Sequence, residues 1–161
     1  MLILAIDPGP EQSAALLYDS DKRCVGQDYA GQMLNAEIRP LLPIGSILVI
    51  EHVSHYGSGM AVGASVFETC IAIGRFIQAW DDDDTVHLVK RQTIKTVLCG
   101  SARAKDANVR QALIDRFGGS REKAIGTKKA PGPLYGVSGH LWSALAVAVA
   151  WCELEAHKEA K

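Results

Sequence analysis

Apolar residues cluster in short continuous runs in the first third of the chain and recur at spacings of three and four thereafter. Leu2 to Ile6 is a nearly unbroken apolar run closed by Asp7-Pro8-Gly9-Pro10, which predicts a strand buried on both faces followed by a tight turn. Ser13 to Tyr18 and Cys24 to Tyr29, joined through Asp19-Ser20-Asp21-Lys22, read as further strands of an antiparallel meander. Ile47 to Ile50 is a second buried strand, ended by Glu51, and Val86 to Val89 is a third short one. Between them lies a glycine-containing polar loop from His52 to Gly63, followed by a helix. Val66, Cys70, Ile73, Phe76, Ile77 and Trp80 mark that helix's buried face.

Further helices are expected over Gln92 to Leu98, broken by Gly100, and over Asp106 to Phe117, ended by Gly118-Gly119. Ser120 to Val137 reads as a basic loop, and Gly139 to Glu155 as a strongly apolar helix, begun by His140, that must pack on the sheet. Hairpin strands first, then strand, helix, strand and helices, predict an α/β fold whose mixed sheet has an antiparallel and a parallel half. The acidic run at residues 81–84 reads as a solvated turn, since calcium loops alternate their oxygen donors around a glycine.

At 161 residues the chain suits one domain over 1–161, and 48% hydrophobic with 22% charged residues is an ordinary globular composition. The formal net charge is only -1, yet residues 90–129 hold eleven Lys and Arg against three Asp and Glu, a local +8 that leaves -9 for the rest. Such a stretch is the natural place for a nucleic-acid track. Four scattered cysteines with no CxxC pair indicate neither a zinc ribbon nor a redox dithiol. No apolar run approaches the roughly 20 residues of a membrane span, and the first residues lack the basic start of a signal peptide. The expectation is a cytoplasmic protein with no membrane partner.

Asp7 and Glu51 each stand where a buried apolar strand ends, and burying a carboxylate there is costly unless something pairs with it. Two such positions suit a hard divalent ion, which is held by one or two carboxylates and waters and can activate water for phosphodiester cleavage. Taken singly, Asp7 is as well explained as a turn former, and His140 as a helix-start residue making a local hydrogen bond.

Ala5-Ile6-Asp7-Pro8-Gly9, Val49-Ile50-Glu51-His52-Val53, Gly100 to Asp106 and the final Ser143 to Ala148 helix resemble, in order and spacing, the RuvC family of Holliday-junction resolvases. The chain is similar in particular to the short RuvC-like proteins of bacteriophages and prophages. The resemblance implies a ribonuclease H-like fold, here a mixed five-stranded sheet flanked by helices. It also implies a homodimer and symmetric, metal-dependent cutting of four-way DNA junctions. It makes Asp7, Glu51 and His140 metal ligands and catalytic residues, with Mg2+ as cofactor and Mn2+ the preferred ion if histidine replaces a carboxylate.

Where the family has an acidic residue three positions after the first ligand of the last helix, this chain has Ser143. A serine does not replace the charge, and Glu68 or Asp106 are the candidates to compensate. The resemblance also gives Lys105 a place beside the scissile phosphate, and Arg103, Lys128 and Lys129 follow as weaker DNA contacts. Tyr56, five residues after Glu51, is a candidate to stack on an unpaired base. Two other readings stay open: a branched-DNA binding protein with little or no cleavage, and a nuclease of the same fold acting on forks, flaps or RNA.

Overall fold

The computed structural model describes residues 1–26, 30–38, 46–53, 63–80 and 82–159. Its centre is a mixed sheet. Strand β1 (Leu2–Asp7) pairs antiparallel with β2 (Gln12–Asp19), and on its other edge runs parallel to β5 (Ile47–His52), which runs parallel to β6 (Val86–Lys90). The far edge of β2 is shared by two short strands, β3 (Cys24–Val25) at one end and β4 (Gly31–Leu34) at the other. Six strands thus occupy five positions across the sheet, in the order β3-β2-β1-β5-β6. This is the expected antiparallel and parallel division, with the fifth position split in two. Strand β4 and the single helical turn α1 (Asn35–Ile38) after it carry too few residues to show a periodicity and were not expected.

Helices cover both faces. On one face α2 (Ala64–Trp80) sets Ala72, Ile73 and Phe76 against Leu4, Ile6, Leu48 and Ile50. On the other, α3 (Arg91–Cys99), α4 (Asp106–Phe117) and α6 (Leu141–Glu159) enclose Ile3, Ala5, Leu16 and Val49. The alternation of β1 and β5 therefore feeds two cores at once, which is why both strands read as unbroken apolar runs. Helix α6 lies directly on β1, β2 and β5, and its residues from Ala144 to Ala150 are all buried.

Three local expectations change. Helix α2 buries Thr69 rather than Cys70, because Thr69 returns its hydroxyl to the Ser65 carbonyl at 2.8 Å and so can lie against the core. Cys70 faces outward beside Phe67 and Ile71, which are 61% and 55% exposed. The segment expected as a basic loop contains a short helix, α5 (Arg121–Ala124), and a miniature hairpin of β7 (Gly126–Thr127) and β8 (Ala130–Pro131). Gly126 makes that hairpin possible, with φ at +69° and no room for a Cβ beside the Ala130 carbonyl. Finally, α6 starts at Leu141, so His140 is not its first residue but the one before it, whose carbonyl accepts from the amides of Ser143 and Ala144.

Helix α3 stops at Gly100 as expected: with φ at +72°, its amide returns to the Thr96 carbonyl at 2.8 Å. No helix among the described residues is long and apolar enough to cross a membrane.

Candidate active site

The parallel register places the candidate carboxylates together. Ile6 of β1 is opposite Ile50 of β5, so the next residues, Asp7 and Glu51, leave neighbouring strand ends on the same side, the face covered by α6. The C-terminal ends of parallel strands are where open α/β sheets place their ligand sites. The turn that carries Asp7 onward is held by a small network. The Gly9 amide donates to Ser13 Oγ at 3.1 Å, Ser13 donates to Asn35 Oδ1 at 2.7 Å, and Asn35 Nδ2 donates back to the Gly9 carbonyl at 3.1 Å. Ser13 is 1% exposed, so this network also satisfies a buried hydroxyl. A side chain at position 9 would run into the Gln12 carbonyl.

From the other end of the chain, the N-terminus of α6 brings His140 Nδ1 to 3.3 Å from Asp7 Oδ2. Ser143, in the first turn of α6, stands near enough to Asp7 to add to the downward pull on its carboxyl. Burial raises the Asp7 pKa above the usual carboxylate value, and the opposing pull of His140, Arg91 and Ser143 does not cancel it. Glu51 is likewise raised by burial and by the nearby charge of Asp7, against the pull of Arg91. Asp7 is thus short of positive charge, the electrostatic condition in which a cation is welcome, whereas Glu51 already has the Arg91 guanidinium beside it.

A cleft of about 430 Å³ opens beside this cluster, lined by Glu51, Arg91, Lys95, Asp106, Arg110 and His140 among others. Asp7 and His140 border a second hollow of about 380 Å³ under the Pro8 to Gln12 turn. Arg91 Nη1 donates to both oxygens of Glu51, at 3.1 and 3.0 Å, and its Nη2 donates to Asp106 Oδ1 at 2.7 Å. Lys95 stands 3.5 Å from the same Asp106 oxygen. Burial alone would lower the Arg91 pKa, but the two carboxylates outweigh it and raise it. At Asp106 desolvation is the largest single effect and is outweighed by the combined pull of Arg91 and Lys95, so that its pKa is lowered. Arg110 lies over the Trp142 ring, 4.7 Å from its centroid, which holds a further guanidinium at the cleft wall.

The structure therefore brings Asp7, Glu51 and His140 into one site from segments 44 and 89 residues apart in sequence. Lys105 sits just before the first residue of α4, exposed, where its amide donates to Asn108 Oδ1 at 2.9 Å; its neighbour Asp106, not Lys105 itself, lines the cleft. Arg103 is exposed in the preceding turn, and Lys128 and Lys129 form the exposed tip of the β7–β8 hairpin. Tyr56 lies outside the described residues. Of the two candidates to replace the charge missing at Ser143, Glu68 is on α2 over the opposite face, bordering a different hollow, and Asp106 is taken by Arg91 and Lys95. Arg91 was not singled out by sequence reasoning, although it directly follows the third parallel strand as the two carboxylates lie at the ends of the first two.

The donors suit a hard divalent ion on the Asp7 side. A buried, undercompensated carboxylate and an imidazole nitrogen leave positions for the several waters that magnesium keeps. They do not form an all-protein cage: among the described residues no three His, Cys, Asp or Glu side chains converge closely enough to hold an ion.

No protein-family model and no curated protein matches the chain. Among solved structures it is similar to RuvC of Thermus thermophilus, with a TM-score of 0.66 and 16% identity over 98% of this chain and 97% of that one. It is also similar to T. thermophilus RuvC in complex with a Holliday junction substrate, with a TM-score of 0.64 and 17% identity over 96% of each chain. A mixed sheet with helices on both faces, matched over almost its full length, gives this chain the RuvC-like, ribonuclease H-like fold.

Proposed function

We propose that the chain is a structure-selective DNA endonuclease that resolves four-way (Holliday) junctions by metal-dependent phosphodiester hydrolysis, of the short type that phages and prophages encode. One observation carries this reading: Asp7, Glu51 and His140 meet at the ends of parallel strands, on the edge of a cleft that also presents Arg91, Lys95 and Arg110. A DNA-complexed structural neighbour adds support for branched DNA as the partner.

Asp7, His140 and Glu51 are the residues that would hold a magnesium or manganese ion. When bound, such an ion lowers the pKa of a coordinated water and offsets charge on the phosphate. The chain's own groups do the rest. An ionised Asp7 accepts from His140 Nδ1–H, the tautomer that leaves Nε2 as the one lone pair able to face an ion; with 66% of its side chain exposed, His140 is open to water. Lys95 and Arg110 offer positive charge to the entering phosphodiester, and Lys105, Arg103, Lys128 and Lys129 extend that charge along the surface outside the cleft. A homodimer would seat two such sites on a symmetric junction, and the outward stripe of Phe67 and Ile71 on α2 suits contact with a second copy.

Ser143 in place of a carboxylate, together with the Arg91 contact to Glu51, favours one other reading, a branched-DNA binding protein with weak or no cleavage. End-labelled junction, fork, flap and linear duplex, each incubated with Mg2+ or Mn2+, separate the two. Paired symmetric nicks confined to the junction, and lost in Asp7→Asn with binding retained, are the expected result. Tight junction binding without cutting in either metal would leave only the binding-protein reading, and cutting of forks or flaps in preference to the junction would change the substrate.

A further inference from the structure

Arg91 opens α3 at the end of β6, so three adjacent parallel strands deliver Asp7, Glu51 and Arg91 in turn. The three are not equivalent. Glu51 is only 13% exposed, and both of its oxygens accept from one guanidinium nitrogen, while the other end of the same guanidinium is anchored on Asp106. Arginine's planar fork is the cation best suited to such a doubly anchored, partly dry pairing. Among the described residues Asp7 forms no ion pair with an arginine or lysine; its hydrogen-bonding side-chain partner is His140.

Both Glu51 oxygens already face the Arg91 cation, so a metal ion that draws on Glu51 does so against that charge and with a loss of affinity. No carboxylate at position 143 makes up that loss, and Asp106 is itself engaged. We propose that Arg91 competes with the divalent ion for Glu51, so that in the protein free of DNA the ion is held from Asp7 and His140 while Glu51 remains the arginine's partner. Arg91 is on this view a positioning residue acting through Glu51. The inference rests on the metal site proposed above.

Mn2+ binding to the full chain without DNA, read from the electron paramagnetic resonance signal of free Mn2+, tests it without reference to cleavage. Loss of a required ligand should weaken binding about tenfold or more, as in Asp7→Asn, whereas Glu51→Gln should stay within about twofold of the parent. Arg91→Gln should tighten binding about tenfold, and adding Glu51→Gln to it should remove that gain. Arg91→Lys, which keeps the charge without the fork, should tighten binding to a smaller extent, again only while Glu51 is present. It carries the test if Arg91→Gln shows no cooperative thermal transition.

Two outcomes overturn the proposal alone. One is Glu51→Gln weakening Mn2+ binding as much as Asp7→Asn while Arg91 is in place. The other is an Arg91 effect of equal size with and without the Glu51 carboxylate, the mark of general charge repulsion. If Asp7→Asn binds Mn2+ as tightly as the parent, the metal-site reading itself falls, and this inference with it.

Discussion

Ser143→Asp is the substitution with the sharpest consequence, because its effect should change sign with the metal. Ser143 lines the cleft with Glu51 and His140 and lies close to the buried Asp7, so an aspartate there would place a second carboxylate near the first. Two unit charges about 5 Å apart at an effective dielectric near 20 repel by about 3 kcal/mol. Salt and the open cleft reduce this to about 1–3 kcal/mol. In a chain of this size that is a fall in Tm of about 3–10 °C at pH 7 in EDTA.

The pH sign follows from the same pair. Asp7 is already raised by burial, and a second carboxylate raises it further. Stability contributed by the protonated form is present below the unfolded carboxylate value and lost as pH rises through the folded one, so the penalty should fade toward pH 4. With Mn2+ present, the added hard oxygen donor tightens the ion, and saturation at about 100 times Kd contributes about 2.7 kcal/mol, enough to offset the repulsion. Differential scanning calorimetry of parent and variant, in EDTA and in Mn2+, reads both effects. A variant as stable as the parent in EDTA at pH 7 would mean that residue 143 does not face Asp7. Equal stabilisation of the two proteins by Mn2+ would mean that it does not face the ion.

Two other predictions concern the frame and the DNA surface. Leu145→Ala, at a side chain 0% exposed where α6 meets the sheet, should cost about 2–5 kcal/mol in urea unfolding; a loss under about 1 kcal/mol would show that this layer closes around the gap. Each of Lys105→Ala, Lys128→Ala and Lys129→Ala should lower the salt slope of junction binding by about one if it touches a phosphate. An unchanged slope for the hairpin pair would place the β7–β8 tip off the DNA.

How legible each element was depended on how far its cause extends along the chain. Helix α3 was readable because its stop signal, Gly100, acts on the turn beside it. The two-core sheet was readable because β1 and β5 carry apolar side chains on both faces. The hairpin of β7 and β8 was hidden in a lysine- and glycine-rich stretch, since two-residue strands leave no alternation to read. Cys70 was misplaced because a threonine bonded to its own helix can replace an apolar side chain in the core, which periodicity of apolar residues does not register.

For the site, the sequence by itself determined which residues end the buried strands. Asp7 and Glu51 are visible as carboxylates at the close of apolar runs, a matter of local burial. Only the tertiary structure decided their partners. His140 reaches Asp7 across 133 residues of chain, and Arg91 reaches Glu51 across 40. Neither contact exists until strand order and register are set and α6 is laid across β1. Side-chain hydrogen bonds and ion pairs act over a few ångströms, so they depend on where folding brings distant segments together, and nothing in the spacing of the residues along the chain encodes that distance.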